Sequence, residues 1–104
     1  MSYLIELTVE ETVLGILHGR SWGMYYEQIA NDPAWNYVKD GNRGERDYPT
    51  GQPTTRTLDL AILHLVERQM VDRIFEAPPI YRLRRIAYNE AHMIATQLQL
   101  ACGR

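Results

Sequence analysis

The chain has 104 residues, which suits one domain of ordinary size, and 45% of them are hydrophobic while 23% are charged. This composition predicts a folded chain, and no apolar run approaches the roughly 20 residues of a membrane-spanning helix. The net charge of −2 counts against nucleic-acid binding, because DNA-binding domains usually carry an excess of Lys and Arg.

The cysteine content and the N-terminal sequence bear on the compartment. A single cysteine, Cys102, excludes a disulfide framework within the chain and fits a reducing environment. The N-terminus lacks a basic segment followed by an apolar run, so we expect no secretory signal. We therefore expect a cytoplasmic protein that has no membrane partner.

The first predicted helix covers 8–19. Thr8 and Glu11 have the spacing of a capping box, in which Thr8 caps the helix and the Glu11 side chain reaches back to it. Apolar residues then follow at helical spacing, and Gly19 is the expected C-terminal stop.

A second helix is predicted over 21–31, with Ser21 as its cap and with Tyr25 and Ile29 facing inward. The next stretch, 33–53, is predicted as an insertion that begins with a short helix. Asp32 would cap this helix, with Pro33 at its first position. The rest of the insertion is predicted as a loop of the kind that tends to be functional or mobile.

A third helix is predicted over 54–69, capped by Thr54 or Thr55. Its inward stripe comprises Leu58, Ile62, Leu65 and Val66. The segment 70–86 then predicts a β-hairpin, because two short runs rich in β-branched and aromatic residues flank Pro78 and Pro79. Proline cannot donate a hydrogen bond to a strand ladder, so both prolines are expected in the turn.

A C-terminal helix is predicted over 86–101. Its apolar residues are spaced 4, 3, 4 and 3 apart, as in a two-heptad seam: Ala87, Ala91, Ile94, Leu98 and Ala101. Such a stripe either packs on its own domain or pairs with a second copy. We favour the second alternative, which makes these residues a dimer interface in a symmetric homodimer.

The order of three helices, a hairpin and a further helix is that of winged helix-turn-helix proteins, an α+β fold with one domain over 1–104. Several stretches resemble PadR-type transcription regulators in particular: 13–19, 22–25, 58–71 and 81–83. Arg68-Gln69-Met70 stand where that family commonly has Glu-Gly-Leu. The resemblance implies a three-helix core, a two-stranded wing and a C-terminal dimerisation helix.

The resemblance also implies a sequence-specific transcriptional regulator that binds double-stranded DNA as a dimer. The third helix of such a fold enters the major groove, and its first residues reach base edges. Thr54, Thr55, Arg56 and Thr57 are the expected base-reading residues. Contacts to the DNA backbone are expected from Ser21, Tyr25, Arg73, Arg82 and Arg84.

The alternative is a winged helix that binds another protein and no DNA, because one fold hosts unrelated functions. Leu60 and Leu63 on the third helix, the two-proline tip and aromatic residues of the insertion would form its contact surface. Basic charge across the third helix and hairpin would favour DNA, whereas an acidic or apolar helix face would favour a protein.

No catalytic or cofactor-binding constellation is visible. His18, His64 and His92 lie on three different predicted helices without metal-ligand spacing, and no glycine-rich phosphate loop opens a helix after a strand. We therefore expect no metal, no cofactor and no enzymatic activity.

Overall fold

The computed structural model of the chain describes residues 7–40, 55–74 and 78–102. They form five α-helices and a small antiparallel sheet, so the predicted α+β class is confirmed. In chain order the elements are α1 (Val9–His18), β1 (Met24–Tyr25), α2 (Tyr26–Ala30), α3 (Pro33–Asp40), α4 (Thr55–Glu67), β2 (Val71–Arg73), β3 (Ile80–Leu83) and α5 (Tyr88–Cys102). A 3₁₀ turn, Arg85–Ala87, leads into α5.

The capping box predicted for α1 is confirmed. The Glu11 amide donates to Thr8 Oγ1 at 3.1 Å, and the Thr8 amide donates to Glu11 Oε1 at 3.0 Å. These two bonds satisfy donors that a helix start otherwise leaves unpaired. The helix ends at Gly19, whose φ of −76° is an ordinary right-handed value.

The second helix is shorter than predicted, and the Ser21 cap is wrong. Ser21 lies in a turn, and α2 begins only at Tyr26. Gly23 has a φ of 107°, which redirects the chain so that β1 pairs with β3. Tyr25 therefore lies in a strand and is 43% exposed, so its predicted inward orientation is also wrong.

The short helix at the start of the insertion is confirmed as α3. The Ala34 amide donates to Asp32 Oδ1 at 2.8 Å, as expected of an Asp cap. Trp35 is 1% exposed and is among the largest fully buried side chains. The predicted loop, 41–53, lies outside the described residues.

The helix α4 carries the predicted apolar stripe, since Leu58, Ile62 and Leu65 are buried and Val66 is partly buried. Its end has the hydrogen bonds of a Schellman motif. The Met70 amide donates to the Leu65 carbonyl and the Gln69 amide to the Val66 carbonyl, both at 3.0 Å.

The predicted hairpin is confirmed as the antiparallel pair β2 and β3, with Asp72 opposite Arg82. Pro78 and Pro79 lie outside both strands, as expected. The second strand is shorter than predicted. It ends at Leu83, and the chain then enters the 3₁₀ turn, which buries Ala87 and starts the last helix.

The C-terminal seam packs on its own domain, which corrects the dimer interface predicted for it. Ala87, Ala91, Ile94 and Leu98 are between 0% and 4% exposed. Gly15 of α1 allows α5 to lie close, because a Cβ added there would come within 2.7 Å of Ile94 Cγ2 and Leu98 Cδ1. The side chain of Ala101 lies outside the description.

The sheet has the order β1-β3-β2 and two distinct faces. The two residues of each cross-strand pair lie on the same face of the sheet, and successive residues along a strand point to opposite faces. The pairs Val71–Leu83, Met24–Tyr81 and Arg73–Tyr81 share the face toward the core. The pairs Asp72–Arg82 and Tyr25–Ile80 form the outer face, from which the candidate site is built.

Candidate nucleic-acid interface

A groove rich in arginine lies where the outer face of the sheet meets the start of α5. Its volume is about 780 Å³. We call it the arginine groove, and it is lined by Ser21, Asp72, Arg82, Leu83, Arg84, Arg85, Tyr88 and Asn89. All of these except Asp72 and Leu83 are exposed, so a large ligand can reach the groove from solvent.

Asp72 organises two of the three arginines. Its Oδ1 lies 3.3 Å from Arg84 Nη1, and its Oδ2 lies 3.9 Å from Arg82 Nη2. The carboxylate is paired with two guanidinium groups and Arg85 also lines the groove, so three cations and one anion leave an excess of positive charge there. Guanidinium groups match the geometry of phosphate and carboxylate oxygens, so the groove is suited to an anion.

The structure brings together three of the nine predicted DNA contacts. Ser21, Arg82 and Arg84 all line the arginine groove. Ser21 therefore contributes from a turn, although it does not cap a helix.

The remaining predicted contacts lie elsewhere. Arg73 lines a separate cavity of about 210 Å³ with Asp59 of α4, on the face of the sheet toward the core. Tyr25 lines a third groove at the hairpin tip. The backbone of 55–57 forms the first turn of α4, and Thr54 lies outside the described residues.

Five groove residues were not predicted as DNA contacts: Asp72 and Leu83 of the hairpin, and three that follow it, Arg85, Tyr88 and Asn89. The positions of these last three depend on the end of β3 at Leu83 and on the 3₁₀ turn after it, whereas the sequence pattern extended the strand to residue 86. The alternation of Arg82 and Arg84 about the apolar Leu83 was the available signal, because it places both arginines on one face.

The outward face of α4 is acidic and apolar within the described residues. Asp59 and Glu67 are exposed, and Leu63 is 51% exposed. Leu60 is partly buried. Phosphates would be repelled by the two carboxylates, so this part of α4 favours a protein partner over DNA.

Arg68, at the end of α4, is committed to an ion pair with α1. Its Nη1 lies 2.8 Å from the buried Glu10 Oε1, and His64 Nδ1 lies 3.5 Å from Glu10 Oε2. This ion pair links α1 to the end of α4. The charge of Arg68 is therefore already paired with a carboxylate of the same chain.

Two histidines that are distant in the sequence meet in space. The ring centroids of His18 on α1 and His92 on α5 are 5.1 Å apart, and His18 lies 5.4 Å from Tyr88. Over residues 7–40, 55–74 and 78–102, no three His, Cys, Asp or Glu side chains gather in a way that could hold a metal ion.

The side of α5 away from α1 carries exposed apolar residues at heptad spacing. Met93 and Leu100 of α5 are 65% and 61% exposed, and Ile86, in the 3₁₀ turn that precedes α5, is 78% exposed; each is seven residues from the next. They lie on a different face from the buried seam. The sequence prediction did not separate the two stripes.

No protein-family model, curated protein or solved structure matches this chain. Among the described helices, none combines the length and the apolar character needed to traverse a bilayer.

Proposed function

We propose that this protein is a winged-helix regulator that binds double-stranded DNA and that its main phosphate contacts lie in the arginine groove. The observation that carries the proposal is the convergence of Arg82, Arg84 and Arg85 beside Asp72, on a chain whose net charge is −2. Concentrating positive charge at one site attracts a polyanion even when the whole molecule is acidic.

Several neighbours of the arginines add to phosphate binding. Ser21 and Asn89 provide exposed hydrogen-bond donors, and α5 begins at Tyr88 beside the groove. The positive end of a helix macrodipole favours anions. Together these groups add hydrogen-bond donors and a favourable helix dipole to the charge of the three arginines.

Base reading is assigned to the first turn of α4, at Thr55, Arg56 and Thr57. In winged helix-turn-helix proteins the first residues of this helix reach base edges, while backbone contacts fix the orientation of the protein. Replacing Arg56 by Ala should then cost about 1–3 kcal/mol on a preferred site and relax its sequence preference.

The test is binding of a fluorescent duplex over a series of salt concentrations. Arg84→Ala and Arg85→Ala should each weaken binding and lower the logarithmic salt slope by about 1, as expected for one lost phosphate contact. Arg68→Ala is the control, because it removes an exposed arginine that lies outside the arginine groove and at the opposite end of α4 from the base-reading turn. A slope near zero for the unmodified protein would contradict DNA binding.

The regulator acts as a homodimer through the outer side of α5. Since the predicted seam is buried within one chain, the interface is reassigned to Ile86, Met93 and Leu100. The seven-residue spacing of Met93 and Leu100 places both side chains along one stripe of α5, and Ile86 lies in the 3₁₀ turn just before it. A two-fold axis across this surface would bury all three from both copies.

A second candidate function is a winged helix that docks on another protein. It is favoured by Asp59, Leu63 and Glu67, the exposed acidic and apolar face of α4. Leu63→Arg separates the candidates, because it adds positive charge and removes an apolar contact. DNA binding should be unchanged or stronger in this variant, whereas capture of a protein partner from solution should be lost.

A further inference from the structure

The groove that Tyr25 lines lies between α2 and the residues that precede β3. Its volume is about 520 Å³. We call it the tyrosine-proline groove, and it is lined by Tyr25, Tyr26, Glu27, Gln28, Pro78 and Pro79. Four of these six side chains carry rings, and the only charged one among the described lining residues is Glu27.

The backbone on both sides of the groove is constrained. Tyr25 belongs to β1 and pairs with Ile80, and its amide donates to Gln28 Oε1 at 2.9 Å. Pro78 and Pro79 have a fixed φ. A constrained backbone loses less conformational entropy on binding, which favours affinity for a ligand that fits.

The composition of the groove identifies the class of ligand. An extended polyproline II segment presents proline rings on its ridges and makes no internal hydrogen bonds, so its carbonyl groups need donors from a partner. Grooves lined with aromatic residues bind such segments. Tyr25 and Gln28 are both exposed residues, and the tyrosine hydroxyl and the glutamine amide nitrogen are donors of this kind.

The charge of the groove orients the ligand. Glu27 is exposed beside the rings and favours a cation at one end of the bound segment. The same carboxylate, with no described arginine or lysine among the lining residues, disfavours a nucleic-acid backbone. We propose that the tyrosine-proline groove binds a proline-rich protein segment in the polyproline II conformation, with an Arg or Lys next to the prolines.

This site is independent of DNA binding, because it shares no described residue with the arginine groove. The probe is a synthetic peptide with an Arg followed by Pro-x-x-Pro repeats, titrated calorimetrically against the full chain. We expect saturable binding that Tyr25→Ala weakens about tenfold or more, a difference of about 1.4 kcal/mol. Tyr88→Ala, an exposed tyrosine of the arginine groove, should leave the affinity unchanged.

A charge exchange tests the orientation without altering the rings. Glu27→Lys should weaken binding of the Arg peptide and strengthen binding of a peptide with Glu in place of Arg. Absence of saturable binding, or equal losses in Tyr25→Ala and Tyr88→Ala, would overturn the proposal. The proposal would also be overturned if Tyr25→Ala weakened the binding of duplex DNA while the peptide did not bind at all.

Discussion

Gln69 is the only non-glycine residue with a positive φ within the described residues, at 62°. It occupies the left-handed position of the Schellman motif that ends α4 and turns the chain into β2. A Cβ in this conformation costs roughly 1–2 kcal/mol, which glycine avoids. The hydrogen bonds of the motif offset this strain, because they satisfy two carbonyl groups at the helix end.

Gln69→Gly should therefore raise the free energy of unfolding by about 0.5–1 kcal/mol, the strain relieved less the extra backbone entropy of glycine. Chemical denaturation measures the change. Gln69→Ala keeps a Cβ at the same φ and is expected to give no gain. Equal effects of the two substitutions would show that φ is not the cause.

At the scale of single residues, sequence reasoning succeeded where the partner is local. Thr8 bonds Glu11, and Asp32 bonds the Ala34 amide, so each cap is encoded within four positions. It failed for Ser21, which has suitable chemistry for a cap. A side chain that can cap does so only where the backbone starts a helix, and here Ser21 lies in a turn that leads into β1, which pairs with β3.

At the scale of elements, the strand β1 could not be predicted from local sequence pattern, because it depends on a distant strand. It has two residues, and its partners Ile80 and Tyr81 lie more than fifty positions away in the chain. Gly23 makes the pairing possible. A Cβ there would lie 2.6 Å from Ile80 Cγ2 and 2.9 Å from the Tyr81 carbonyl oxygen.

Gly23→Ala should destabilise the protein by about 1–3 kcal/mol, because it combines a strained φ with a clash against β3. Gly19→Ala is the control, since Gly19 is exposed with a right-handed φ and should be neutral or slightly stabilising. Thermal unfolding of both variants provides the comparison. Similar melting temperatures would contradict the close approach of β1 and β3.

The two stripes of α5 show a second limit of pattern reasoning. Periodicity identified an apolar seam correctly, but it cannot say which neighbour covers that seam. Gly15 on α1 was the missing information, because it lets the two helices approach closely. Of the candidate site, the pairing of Asp72 with Arg82 required the hairpin register, which the apolar pattern of two such short strands does not fix.

At the scale of the whole molecule, the reassigned dimer interface gives a prediction about assembly. Met93→Glu should convert a dimer into a monomer, because it places a carboxylate from each copy near the two-fold axis. The unfolding free energy of the monomer should change by no more than about 0.5 kcal/mol, as Met93 is 65% exposed.

Sedimentation of the unmodified protein, Met93→Glu and Met93→Leu measures the change in mass. Met93→Leu preserves an apolar side chain and should remain dimeric. If the unmodified protein and Met93→Glu sediment alike, the stripe on α5 is not a dimer interface.

The sheet is bounded by two very short strands, β1 with two residues and β2 with three. Unpaired strand edges are templates on which foreign chains add and aggregate, and brief edges reduce that hazard. The backbone of this sheet therefore gives little opportunity for recruitment by strand addition. Partners that bind at the sheet are therefore expected to contact its side chains, so single substitutions can separate one such partner from another.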